Sequence, residues 1–159
     1  MAIVALNATR RGNKTAPGKG DGYSVKVVAA TVEVGAADSA TSTYAMFRIP
    51  SNARILGSST LYADDLAASG SPTIDIGLFA VDSNITSDDD ALRADIDVFT
   101  AAANTRVVTD VANIGKMAWE FVSGQATDPG GVLEVKLTLK DAAVNTGGTL
   151  TLELFYTLD

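Results

Sequence analysis

Residues 132–140 and 149–158 alternate apolar and polar side chains one by one, and few folds tolerate that pattern. Leu133, Val135, Leu137 and Leu139 point one way, with Glu134, Lys136, Thr138 and Lys140 opposite. Leu150, Leu152, Leu154, Tyr156 and Leu158 form a second apolar face after the turn-prone Asn145-Thr-Gly-Gly-Thr149. A period of two means half-buried antiparallel strands, which this reading joins as a final hairpin. A hairpin is marginal by itself in water, so a second sheet must cover its leucines.

Six more candidate strands precede these two, at residues 23–34, 43–49, 53–62, 73–81, 96–100 and 105–110, separated by Gly, Pro, Ser, Asn and Asp clusters. Strand 23–34 opens with Tyr23, Val25 and Val27 on one face and continues with Val28, Ala30, Val32 and Val34 on the other. Such a phase change fits either a β-bulge or bend, or a strand buried on both faces. Two short helices are expected. Ser87 caps a turn through Asp88, Asp89 and Asp90, and residues 113–123 space Ile114, Met117 or Ala118, and Phe121 at helical intervals before Gly124. The fold class that follows is all-β: an antiparallel β-sandwich of jelly-roll type, or a Greek-key relative, with about eight strands.

The chain divides at residue 22. Residues 1–22 hold Arg10, Arg11, Lys14 and Lys19 against Asp21 alone, with Gly12, Pro17, Gly18, Gly20 and Gly22 and no periodicity. Residues 23–159 hold 8 basic and 18 acidic side chains. The expected organisation is therefore an extended basic arm (1–22) on one acidic β domain (23–159). The apolar stretch 2–6 is too short for a signal-peptide core, and its charges follow it. No run approaches the roughly 20 apolar residues of a membrane helix, so no membrane partner is expected. Synthesis in the cytoplasm follows, and the sequons at Asn7, Asn13 and Asn84 read as coincidental.

Composition also narrows the chemistry. With no cysteine, disulfides and cysteine-bound metals are excluded; with no histidine, so are Ser-His-Asp and Cys-His catalysis. No catalytic, cofactor or metal site is expected. Gly12-Asn-Lys-Thr-Ala-Pro-Gly18-Lys19 fails as a phosphate loop, because five residues separate the glycines and Gly20 stands where Ser or Thr is needed. Asp82-x-Asn84-x-Thr86-x-Asp88 alternates oxygen ligands like a calcium loop, yet Ser87 replaces the sixth-position glycine and Arg93 the twelfth-position glutamate. An acidic, solvated turn is the better account. Asp64-Asp65 and Asp95/Asp97 are carboxylate pairs that read as acidic loops. Four arm cations with no interleaved aromatic are a weak nucleic-acid site, and the acidic body opposes one, so an acidic protein surface is the expected partner. Phe79 and Phe155 interrupt polar strand faces. Each is either covered by its own subunit or part of a subunit interface.

Several segments together resemble a known family. Ile49-Pro-Ser-Asn-Ala-Arg-Ile55 and residues 58–61 resemble stretches recurring in small structural proteins of tailed-phage virions. So do Thr73-Ile-Asp-Ile-Gly-Leu-Phe79 and Leu92-Arg-Ala-Asp-Ile-Asp-Val-Phe-Thr-Ala-Ala102. Met117-Ala-Trp-Glu120, Asp128-Pro129 and Gly147-Gly-Thr-Leu-Thr-Leu-Glu-Leu-Phe-Tyr-Thr157 fit the same pattern. The resemblance spans roughly residues 23–158 and points to jelly-roll capsid decoration, or cement, proteins. It implies a non-enzymatic virion protein, often trimeric, that braces the assembled head by binding the major capsid protein. Arg10, Arg11, Lys14 and Lys19 would then anchor the arm. The rival readings are a receptor- or glycan-binding module of a phage tail or head fibre and, last, a carboxylate-dependent glycosidase.

Overall fold

The computed structural model describes residues 24–67, 69–81, 85–98, 102–122, 124 and 126–158. Nine strands are found among them: β1 (Lys26–Val34), β2 (Thr43–Pro50), β3 (Ala53–Ile55), β4 (Thr60–Ala63), β5 (Thr73–Ala80), β6 (Asp88–Asp97), β7 (Ala103–Arg106), β8 (Val132–Lys140) and β9 (Gly148–Leu158). One sheet, called A here, runs β1-β9-β4-β7, with short β3 also paired to β9; the other, sheet B, runs β2-β8-β5-β6. Every pairing is antiparallel. The pairs β1·β9, β2·β8, β4·β7 and β5·β6 nest like one long hairpin rolled upon itself. That is the jelly-roll order, and the expected fold class is the observed one.

The two clearest strands do not form a hairpin with each other. β8 lies between β2 and β5 in sheet B, whereas β9 lies between β1 and β4 in sheet A. Their leucine rows meet across the sandwich, and Leu133, Leu137, Leu139, Leu150, Leu152 and Leu154 are all completely buried. Facing sheets solve the covering problem that a hairpin leaves open, at about 1.5–3 kcal/mol per buried side chain. The chain crosses between sheets through Gly147 and Gly148, both at positive φ. A Cβ on Gly147 would stand 2.9 Å from the Val34 carbonyl oxygen, so only glycine fits that crossing.

Other local readings are corrected. Residues 53–62 form two strands, β3 and β4, because Ser59 closes a turn: its N–H and hydroxyl both donate to the Leu56 carbonyl. β1 pairs with β9 in unbroken register from Lys26 to Val34, so it contains no bulge. It is not buried on both faces either, since Val25 and Val27 are exposed. The bulge lies in β2, between Ala45 and Phe47. No helix forms at Ser87; its hydroxyl accepts from the Ala80 N–H and closes the β5–β6 connection, and Asp88–Asp90 open a strand. The helix expected over 113–123 resolves into two 3-10 turns, Val111–Asn113 and Ala118–Phe121. Gly115, at φ 84°, and extended Met117 break the run between them.

Candidate functional site

The four arm cations, Arg10, Arg11, Lys14 and Lys19, lie outside the described residues, as does the glycine-rich stretch 12–20 and the first half of the calcium-like turn. Phe79 and Phe155 are both described. Phe79 alternates with the core residues Ile74, Ile76 and Leu78, which puts it on the outer face of sheet B. There Lys136 holds its ammonium 4.8 Å from the ring centroid and also pairs with Glu134 at 3.1 Å. The pairing keeps Glu134 below the ordinary carboxylate range. Phe155 lies on the outer face of sheet A, in register with exposed Val27. Its backbone is pinned by the buried Ser59 hydroxyl and by the Leu56 N–H. The two half-buried rings therefore face away from each other across the sandwich.

The Asp64-Asp65 pair makes bonds within the fold. Asp64 Oδ2 accepts from both the Thr149 hydroxyl (2.7 Å) and the Thr149 N–H (2.8 Å), tying the end of β4 to β9. These bonds, the hydroxyl first, lower its pKa from the usual 3.8. Asp65 turns the other way, towards the Ala67 N–H. Asp95 and Asp97 flank buried Ile96 and are both exposed, with Asp95 at φ 53°. Asp38 is likewise a fastener: it accepts from the Tyr44 hydroxyl and the Gly35 N–H, and its pKa is lowered in consequence.

Among the described residues, one carboxylate is buried although its strand phase points it to solvent. Asp75 belongs to the polar face of β5 by phase, yet it is only 5% exposed. Its Oδ1 accepts from the Asp95 N–H at 2.8 Å and its Oδ2 lies 3.5 Å from Lys140 Nζ. Lys140 also donates to Asp89 at 2.7 Å. Burial pushes the Asp75 pKa up, and the Asp89 hydrogen bond pushes Lys140 up. The cover is β6 itself. Its pairing with β5 shifts twice, and the slack folds over Gly77, where a Cβ would stand 2.6 Å from the Asp88 carbonyl oxygen and the Asp89 Cα. Phase alone assigns Asp75 to solvent; only the glycine two positions on hints that a backbone comes close.

Asp88, Asp89 and Asp90 bring carboxylate oxygens within 4.8 Å of one another. Burial, then the neighbouring Asp90, raises the Asp88 pKa. Lys140 already supplies a positive charge to this group through Asp89, whose pKa it lowers.

No protein-family model matches the sequence, and no curated protein does. Among solved structures, a chain of the cyanophage Pam1 capsid asymmetric unit is 20% identical, with a TM-score of 0.57 over 99% of this chain and 100% of that one. A chain of the capsid of Ralstonia phage GP4 is 19% identical, with a TM-score of 0.62 over 92% of each chain. At these identities what is shared is the fold, essentially from end to end.

Proposed function

We propose that this chain is a non-enzymatic structural protein of a phage virion, one that binds the outside of an assembled capsid and braces it. The observation that carries this reading is the fold shared along nearly its whole length with chains of two phage capsids. The use made of the polar side chains supports it: Asp38, Asp64 and Asp75 each fasten one part of the sandwich to another. Fold alone does not fix function, but the two neighbours and the segment resemblance point to the same class of particle.

In this reading the partner is the major capsid protein and the location is the capsid surface, after synthesis in the host cytoplasm. Residues 1–22 form an arm that reaches at most about 73–79 Å when extended, far enough to cross between subunits. Arg10, Arg11, Lys14 and Lys19 steer it to acidic protein surface and anchor it. Copies associate, with a trimer favoured. Phe79 and Phe155 sit on opposite outer faces, so the contact that uses both is head-to-tail, the kind that closes into a ring. Many weak contacts then sum through multivalency.

The test is binding to heads assembled without the protein, followed by co-sedimentation. Full-length protein is expected to pellet with heads, and protein lacking residues 1–22 is expected to bind weakly or not at all while keeping its β circular dichroism. Undiminished binding by the trimmed protein would overturn the arm assignment. Absence of the polypeptide from purified particles, with no binding to heads, would overturn the proposal as a whole.

A further inference from the structure

Among the described residues, four strands end the two sheets: β1 and β7 in sheet A, β2 and β6 in sheet B. An open strand edge presents a row of unpaired N–H and C=O groups that can template pairing, so proteins blunt it by shortness, bulges, proline or charge. Three of the four edges here are blunted. β7 has only four residues. β2 is bulged between Ala45 and Phe47, carries Arg48 and ends in Pro50. β6 shifts register twice and presents Asp88, Asp89, Asp90, Asp95 and Asp97. β1 has none of these devices. It runs nine residues in unbroken register, contains no proline, and is uncharged from Val27 to Val32. Among the described residues it pairs with β9 alone.

The core is also open at this edge. Leu150, Leu152 and Leu154 of β9 are fully buried, whereas Val32, Ala30 and Val28, their partners in register, are only half-buried. On the outer face Val27 is 53% exposed, and Ala29 is exposed as well. A strand laid along β1 therefore meets apolar side chains on both of its faces. One segment of the chain outside the described residues has the matching character. Residues 2–6, Ala-Ile-Val-Ala-Leu, are apolar at every position, the pattern of a strand covered on both faces. Ile3 and Val4 are good strand formers. Alternation puts Ala2, Val4 and Leu6 on one face, to extend the row of Val28, Ala30 and Val32, and Ile3 and Ala5 on the other, beside Val27 and Ala29.

Nineteen residues separate Leu6 from Lys26, a reach of at most about 63–68 Å when extended. A strand that returns to its own edge needs a connection of about 2–5 residues, and structureless connections beyond about 12–15 are uncommon in compact domains. The separation suits a neighbour instead. We infer that β1 receives residues 2–6 of a neighbouring copy as an added strand, so that copies are joined by exchange of this segment. Each copy gives one strand and receives one, a head-to-tail contact of the kind that closes into a ring. Resting on the association of copies proposed above, this exchange adds the edge and the segment that make it. Arg10, Arg11, Lys14 and Lys19 lie in the stretch that crosses between copies, so anchoring to the shell and exchange draw on different parts of the arm.

The chain has no cysteine, so engineered disulfides report on the chosen positions alone. In the full-length chain, Val4→Cys is combined with Ala29→Cys, Ala30→Cys or Thr31→Cys, and in a control with Asn104→Cys on β7, the opposite edge of the same sheet. Mild oxidation is expected to link separate copies through at least one of the three β1 pairs and not through Asn104. Non-reducing gels and mass spectrometry of the linked peptides read this. Ile3→Lys combined with Val4→Lys is expected to sediment as a single copy while keeping the β circular dichroism of the unaltered protein. Links formed only within one chain would mean that the segment returns to its own edge, and would overturn the exchange. Absence of any link to β1 overturns it too, as does linking to Asn104 as readily as to β1. None of these measurements uses heads. Protein that shows no link to β1 yet binds heads sinks the exchange and leaves the virion reading standing, whereas linked copies that fail to bind heads sink the virion reading alone.

Discussion

Two aspartates of this chain respond to burial and hydrogen bonding in opposite senses. The Thr149 hydroxyl and N–H lower the Asp64 pKa from 3.8, so the charged form is favoured in the fold. Its stabilisation is therefore present above pH 3.8 and is lost as pH falls through the lowered native value. Burial raises Asp75 from the same starting value, so the folded protein holds that proton more tightly than the unfolded chain does. Its contribution is full below pH 3.8 and is lost as pH rises through the raised native value. Asp64→Asn is expected to lower the urea midpoint at neutral pH and to converge on the parent at acid pH. Asp75→Asn is expected to gain on the parent as pH rises from 3.8. Urea titrations across pH read both, and a pH-independent gap at either position would contradict the assignment. The sequence reading has Asp64 in an acidic loop and, by strand phase, Asp75 on a polar face turned to solvent. That holds for the exposed flank of the molecule, but it fails for Asp75, because nothing local records which backbone will pass overhead.

At the scale of elements, strand periodicity was readable wherever one face met the core and the other met water. β5, β8 and β9 were found within one residue of their expected limits. Elements whose local signals serve two conformations were misread. An acidic triplet behind Ser87 suits a helix start, yet Asp88–Asp90 begin β6, because sheet B had an open edge beside β5. Residues 113–123 carry helical spacing, but Gly115 in the left-handed region limits them to single turns. The β5–β6 bulge supplies a clean test of the packing account. Gly77→Ala places a methyl 2.6 Å from backbone atoms of Asp88 and Asp89 that cannot rotate away, and is expected to cost about 1–3 kcal/mol in urea unfolding. Gly57→Ala meets nothing closer than Ile114 at 3.9 Å and is expected to change stability by about 0.5 kcal/mol or less. Equal losses at the two glycines would mean that β6 does not cross Gly77 as closely as described.

For the molecule as a whole, the nested pairings join the far ends of the chain: Lys26 meets Tyr156 and Val34 meets Gly148. Closing that outermost pair requires nearly the whole described chain to be organised first, so folding is expected on the millisecond-to-second scale. Stopped-flow fluorescence of Trp119 reads this directly, and microsecond folding would be incompatible with the topology. The amino-acid order by itself determined that the body is an antiparallel sandwich, that it lacks the residues for histidine or cysteine chemistry, and that an unpatterned basic stretch precedes an acidic domain. Those properties depend on composition and on a period of two, both of which are local. Tertiary structure alone decided that β8 and β9 face each other from opposite sheets, that Phe79 and Phe155 look in opposite directions, and that Asp75 is buried. Each of these depends on which strand lies beside which, and strand pairing is a contact between residues far apart in sequence that no periodicity encodes.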